Sequence, residues 1–367
     1  LTLVRRHFAL AKSQLARMTG LSAQTISVIM RSLEDDGLLL RGEPVRGKVG
    51  QPSVPMRLNP QGAFFLGLKI GRRSAEVIVT DFLGQVLAKE RTTYAFPTRE
   101  ASLEFAEASI DGLMANMRPV DRERIAGIGI AMPFYLWDWA PTLQVPASQM
   151  AEWRNFDMKR ELASRFEMPV FLQNDATAAC GAELVFGPQD GPTEFLYFYV
   201  GFFVGGGIVL NGSIFTGRGN SGALGPLPVP SARGGVVPLL DVASLYILER
   251  RLEQAGEDPD VLWGSAEVWD IPDAVLDGWL IEAADGLAHA VVSACSVIDF
   301  ECVKIDGWMP AGVRDRLVAA IGSRLSQRDM TGLERPEIES GTVGPDARSL
   351  GAASQPLSQR FLLEACL

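Results

Sequence analysis

The chain has 367 residues, a net charge of −10 at pH 7 and a hydrophobic content of 47%, which exceeds one ordinary core and predicts two or three domains. No run approaches the ~20 uninterrupted apolar residues of a membrane span, and the N-terminus has no signal-peptide layout. The four cysteines (Cys180, Cys295, Cys302 and Cys366) are scattered without a CxxC pair and there are two histidines, which argues for a reducing cytoplasm and against a structural zinc or other metal site.

The charge is divided unevenly along the chain. Residues 1–60 hold nine Lys/Arg against four acids, a net +5, which leaves −15 on the remainder. This describes a small basic module on an acidic body, and the body should be repelled by nucleic acid, so any DNA contact is expected in the first sixty residues. Within them, AKSQLARMTGLSAQTISVIMRSLEDDGLL predicts two short helices around a turn. Ser13 is expected to cap the first, with Leu15, Ala16 and Met18 as its apolar positions, and Gly20 to take the left-handed conformation that ends it. Ser22 is expected to cap a second helix running to about Asp35. Ile26, Ile29, Met30 and Leu33 recur at helical spacing and are expected to face inward. That leaves Ala23, Gln24, Thr25, Ser27 and Arg31 outside, where small hydroxyl and amide groups suit base edges in a major groove.

The next stretch, GLLLRGEPVRGKVGQPSVPMRLN, predicts two short strands joined by a basic, Gly/Pro-rich loop. This is the layout of a winged helix, with Arg46, Lys48 and Gln51 on or beside the wing. Candidate DNA contacts are therefore Ser22, Gln24, Thr25, Ser27, Arg31, Arg46, Lys48 and Gln51. A helical-hairpin cap with a solvated charged face is the competing interpretation.

From Phe64 the chain predicts strands alternating with helices. FFLGLKIG, AEVIVTDFLGQVL and RIAGIGIAMP read as strands, residues 99–117 as a helix, PVFLQND as a strand and ATAACGAELVFG as a helix. A strand pair follows in EFLYFYVGFFVGGGIVLNGSIF, then helices near 241–255 and 272–296, the strand FECVKIDG and a helix near 313–327. This is an α/β architecture of two similar lobes with a cleft between them. The three glycines of VGFFVGGGIVLNG are expected to serve the turn between two strands, because glycine tolerates backbone angles that other residues avoid.

Taken in order, these pieces resemble the ROK family of repressors and sugar kinases. The residues that carry the resemblance are GQPSVPMRLNPQG (50–62), QNDATAACGAELVFG (173–187), GGGIVLNGSIFTGRGNSGALGP (205–226) and TVGPDARSLGAA (342–353). The resemblance implies a winged helix-turn-helix at 1–60 followed by a two-lobed actin-like, ribonuclease H-like ROK sugar-kinase fold. Its first α/β lobe would span 61–175 and be completed by the C-terminal helix 346–367. Its second, 176–345, would carry the effector cleft and the dimerisation surface.

By the same match, Asp175 stands where the family's kinases have the base that activates a sugar hydroxyl, although an Asp there also suits a helix N-cap. The phosphate loops depart from the kinase pattern. The first, DxGxT in the kinases, is here Lys69-Ile-Gly-Arg72-Arg73, and the second, GTGxGGG, has Phe202 and Phe203 where backbone should approach phosphate. The GExGH element corresponds to Gly222-Ala223-Leu224-Gly225-Pro226, and the zinc loop region 231–244 has no Cys or His and has Leu240 in place of a sugar-binding Glu. Asn174, Asp175 and Gln149 remain as candidate effector contacts, and Phe134, Tyr135, Trp137 and Trp139 could stack on a ligand or pack in the core.

The expected function is a transcriptional regulator, a repressor of carbohydrate-related genes, without kinase activity, bound cofactor or membrane association. Its expected partners are a two-fold-symmetric double-stranded DNA operator, a sugar or sugar-derivative effector, and further copies of itself as homodimer or tetramer. Two alternatives stay open: a residual carbohydrate kinase, and a regulator whose body only oligomerises.

Overall fold

The computed structural model describes residues 1–44, 54–140, 145–188, 190–232 and 234–362. The N-terminal unit opens with α1 (Thr2–Arg6), β1 (Ala9–Leu10), α2 (Lys12–Thr19) and α3 (Ala23–Asp35), followed by β2 (Leu39–Arg41) and β3 (Met56–Leu58). Its strands form an antiparallel sheet in the order β1-β3-β2, with Leu39 opposite Leu58 and Ala9 opposite Arg57. The wing residues Arg46, Lys48 and Gln51 lie outside the described residues.

Gly20 ends α2 at φ 69°, ψ 5°, and the Ser22 hydroxyl accepts a hydrogen bond from the Thr25 N–H at 3.1 Å, as the turn chemistry requires. Ser22→Ala is accordingly expected to lower stability by about 1 kcal/mol in thermal unfolding. Ser13 does not cap α2. The helix starts two residues earlier, with Ala11 at the cap position and the Gln14 side chain accepting from the Ala11 N–H at 2.8 Å. The inward stripe of α3 is also narrower than its spacing predicts. Ile26 and Met30 are buried, whereas Ile29 is 42% exposed, as is Met18 of α2 at 45%. A three-helix unit this small has no second layer to cover the flanks of that stripe.

The rest of the chain is built on two five-stranded sheets with one topology. The first consists of β4 (Phe64–Ile70), β5 (Ser74–Thr80), β6 (Val86–Thr93), β7 (Ile125–Ala131) and β8 (Val170–Gln173), in the order β6-β5-β4-β7-β8. The second consists of β9 (Phe195–Val200), β10 (Val204–Leu210), β11 (Ser213–Ile214), β14 (Cys302–Gly307) and β15 (Glu337–Ser340), in the order β11-β10-β9-β14-β15; β12 (Pro228–Pro230) and β13 (Val236–Pro238) pair separately. In each sheet the first three strands form an antiparallel meander and the last two add in parallel. Two copies of a 3-2-1-4-5 sheet are therefore present, one per lobe.

Helices α4 (Arg99–Ala115) and α5 (Met158–Phe166) cover the first sheet, and α7 (Leu245–Ala255), α8 (Asp273–Cys295) and α9 (Ala311–Ser326) cover the second. Between the sheets lie α6 (Asp175–Phe186) and α10 (Ala347–Phe361), packed against each other, with α10 also lying on β4 and β7. Glycine makes this crossing possible. A Cβ on Gly129 would lie 1.7 Å from the Ala352 carbonyl oxygen, and one on Gly351 1.8 Å from that of Ala178.

The triple glycine acts through the same close approach and not through a turn. Gly205, Gly206 and Gly207 lie inside strand β10, and none has a positive φ. A Cβ on Gly205 would sit 2.8 Å from the Ala176 Cβ, one on Gly206 2.2 Å from the Tyr197 carbonyl oxygen, and one on Gly207 2.5 Å from the Cys180 Cβ. The run lets α6 lie directly on the strand.

The N-terminal unit shares its core with the first lobe. Val4, Leu10, Ile26, Met30 and Met56 form one cluster with Phe65, Ile78, Phe82 and Leu357, and the Phe361 ring meets those of Phe82 and Phe65 at 5.1 and 5.8 Å. Arg5 donates to the Phe82 carbonyl oxygen at 3.1 Å. No described helix is long and apolar enough to cross a membrane.

Candidate functional site

The predicted site residues fall in two places. On the N-terminal unit, Ser22, Gln24, Thr25 and Arg31 are exposed at the start and along the outer side of α3, and Ser27 is half-buried. These side chains form one outward face, and the turn at Gly20 sets its angle to α2. Arg41, on β2 beside this face, is engaged by Glu34, with Nε to Oε1 at 2.6 Å.

The second set converges on a cleft of about 200 Å³ where α6 begins. Asn174 and Asp175 both line it, together with Phe134, Tyr135 and Trp139. The Asn174 Oδ1 accepts from the N–H groups of Ala176 and Thr177, so Asn174 and not Asp175 caps the helix. Asp175 is buried in the first turn, with its Oδ2 3.4 Å from Nη1 of Arg348. Arg348 in turn lies over the Tyr199 ring at 4.8 Å. Gln149 is exposed and does not line the cleft. Trp137 also stays outside it, against Tyr135 and beneath Arg154, and Trp153 is buried with its indole N–H on the Pro97 carbonyl.

The remaining wall comes from positions the sequence marks as altered kinase loops. Phe203, Leu240, Ala223, Gly225 and Pro226 all face the cleft, as do Arg72, Tyr199 and Asn220. Arg72 lies over the rings of Phe203 at 4.2 Å and Trp139 at 5.2 Å, and those two rings are 4.5 Å apart. Burial pulls the pKa of Arg72 down to about 10, opposed by the charge of Asp175. Lys69 does not reach the cleft; it is buried in the β4–β5 hairpin and donates to the Ser74 hydroxyl at 2.6 Å and carbonyl at 3.1 Å. Burial, with Arg348 nearby, pushes its pKa well below that of a free lysine.

Further along the same hairpin edge the two lobes are tied by charge and ring contacts. Arg73 pairs with Glu249 at 3.1 Å, Lys89 with Asp346 at 2.9 Å, and Arg91 donates to the Trp263 carbonyl at 2.8 Å while lying over Trp308 at 4.2 Å. Among the described residues no group of three His, Cys, Asp or Glu is placed to hold a metal ion. Arg348, Tyr199, Asp138 and Asn220 were not singled out by sequence reasoning. The segment TVGPDARSLGAA contains Arg348, but nothing in its spacing shows that the arginine returns to Asp175.

Residues 65–238 match the ROK family. The chain carries a ROK family domain over this stretch. Along 99% of its length it is 25% identical to the uncharacterized protein y4fQ of Sinorhizobium fredii, covering 91% of that protein. Over 62% of its length it is 23% identical to the xylose repressor of Bacillus spizizenii, covering 58% of it. Two solved ROK structures share the fold. A transcriptional regulator described as a homologue of the E. coli MLC protein superposes with a TM-score of 0.65 at 21% identity, over 95% of this chain and 91% of that one. A glucokinase from Streptomyces griseus, in complex with glucose and AMPPNP, gives 0.60 at 22% over 80% and 98%. The ROK body thus occurs in both regulators and kinases, and the duplicated sheet with its helices is the α/β fold common to them.

Proposed function

We propose that this ROK chain is a DNA-binding transcriptional regulator, a repressor whose body senses a sugar or sugar derivative and does not phosphorylate it. Residues 1–60 are read as a winged helix-turn-helix with α3 as recognition helix. The observation that carries this reading is the outward face of α3, where Gln24, Thr25 and Arg31 are exposed in a basic unit. The xylose repressor relative and the regulator-like fold support it. A homodimer is the expected operating form, because one such helix makes few base contacts and paired heads match a two-fold operator.

The kinase alternative retains Asp175 in the cleft and has a glucokinase among its structural neighbours. Against it, Arg72, Phe203 and Trp139 pack together where the family resemblance puts nucleotide phosphates. Phosphoryl transfer depends on positioned phosphates, and the Phe203 and Trp139 rings fill space that the kinase loop leaves open for backbone to approach them. ATP turnover over a panel of hexoses is expected at background; turnover that disappears in Asp175→Asn would establish a kinase.

Helix α10 supplies a route between cleft and head. Its Arg348 pairs with Asp175, and about 14 and about 20 Å further on its Leu357 and Phe361 belong to the cluster shared with the head. An effector that shifts Arg348 would bias the head through this rod. On DNA selected by the wild type, Gln24→Ala or Thr25→Ala is expected to lose about 1–3 kcal/mol at the contacted base pair and to relax preference there in competition binding. Unchanged affinity and preference in both variants would remove α3 as the reading element.

A further inference from the structure

The cleft contains a buried positive charge that makes no ion pair or side-chain hydrogen bond among the described residues. Arg72 is only 8% exposed, and its Nε is buried without a hydrogen-bond partner. Among the described residues its guanidinium makes no ion pair; its contacts are the faces of Phe203 and Trp139. Ring faces recover part of the hydration an arginine loses, but they accept none of its five N–H bonds. The buried carboxylate in the same wall, Asp175, is already engaged by Arg348. Glu76 of the neighbouring strand lies 3.8 Å from Lys89, and the other acid lining the cleft, Asp138, is exposed. Arg72 and Arg348 therefore share a single buried acid in the cleft, Asp175.

A planar guanidinium held by aromatic faces, with its N–H edge free, is the arrangement that receives a carboxylate or phosphate through paired hydrogen bonds. We propose that the cleft takes an anionic small molecule, a hydroxylated acid of the sugar-acid or sugar-phosphate kind, with its charged group against Arg72. This rests on the reading of the cleft as the effector site. Asn174 fits the polyol end. Its Oδ1 is committed to the helix cap, which leaves the Nδ2 amide as a donor, and Asn220 lines the same cleft. Trp139 and Tyr135 provide the apolar wall such ligands stack on. A volume of about 200 Å³ suits one ring and not an oligosaccharide. The pKa of Arg72, near 10, keeps it charged at neutral pH, and an anion would relieve the burial that lowers it.

The test is calorimetric titration of the full chain with glucose, glucuronate, glucose 6-phosphate and inorganic phosphate. At least one charged sugar is expected to bind ten times or more tighter than glucose. Arg72→Met, which keeps an unbranched stem between Phe203 and Trp139, should lower that affinity at least tenfold, with Arg72→Lys between the two. Preference for glucuronate would identify a carboxylate ligand, and preference for glucose 6-phosphate a phosphate ligand; either supports the proposal. Charged-sugar affinity unchanged in an Arg72→Met protein with a wild-type melting profile would overturn it. So would glucose binding as tightly as its charged derivatives, an outcome that leaves the cleft an effector site for neutral sugars. No binding by any compound at millimolar concentration would overturn both the anion and the effector reading of the cleft. Inorganic phosphate binding equally to wild type and Arg72→Met would also count against Arg72 as the anion contact.

Discussion

Raising the salt concentration from 50 to 200 mM is expected to weaken operator binding by about 10³-fold. The expectation follows from where the charge lies. Residues 1–60 carry +5 and the remainder −15, so the head alone can neutralise phosphates, and the body opposes any contact outside it. Two heads making about three phosphate contacts each would release about six counterions, and a fourfold change in salt then moves the affinity by three decades. Binding measured by anisotropy across that range should give a linear log–log plot of slope about −5. A slope shallower than about −2 would mean that the basic module does not track the DNA backbone. Substituting Arg46 or Lys48, which is lost from both heads, should flatten the slope by about two each and weaken all sequences alike.

Gly351→Val is expected to be among the most destabilising single substitutions in the chain, by about 3 kcal/mol or more. The Cβ alone would lie 1.8 Å from the Ala178 carbonyl oxygen and 3.0 Å from the Ala179 amide nitrogen, and these backbone atoms belong to α6. No rotamer change relieves such a clash; α6 and α10 must separate. Separation would pull Arg348 from Asp175 at the cleft and disturb Leu357 where α10 meets the head. The variant should therefore lose both thermal stability and operator binding. Gly322→Ala, in α9 with no atom within 4 Å of the added Cβ, is the control and should stabilise by about 0.5–1 kcal/mol. Equal melting temperatures for the two variants would contradict the packing described at the helix crossing.

Much of the architecture is legible in the residues because local physics decides it. The helices on either side of Gly20, the Ser22 cap, the two short strands after them and the strand–helix alternation all follow from turn chemistry and periodicity. What escapes is decided by contacts distant in sequence. The triple glycine reads as a turn because a turn is the commonest local use of glycine; its actual reason, α6 lying on β10, is visible only once Ala176 and Cys180 are in place. The third strand of the head, Ala9–Leu10, is two residues long and has no period to detect. Ile29 keeps the spacing of a core residue although nothing covers it. In the cleft, Asn174 and Asp175 are recognisable from their motif, whereas Gln149, taken from the family resemblance ahead of Trp153, is exposed and outside it. Arg72 is recognisable only as part of an altered phosphate loop, whose carboxylate position is taken by Lys69; that it stacks on Phe203 and remains unpaired depends on a residue more than a hundred positions away.

The central claim is that the chain reads DNA with its N-terminal unit and uses a kinase-like body as a sensor. Its most direct test is selection of fragments from the genome that encodes the chain, by the full-length protein at physiological salt, with Gln24→Ala carried in parallel. The account predicts recovery of a small set of fragments that share a two-fold-symmetric site and are depleted with the variant. Enrichment of no fragment by the wild type, or identical enrichment with Gln24→Ala, would contradict it.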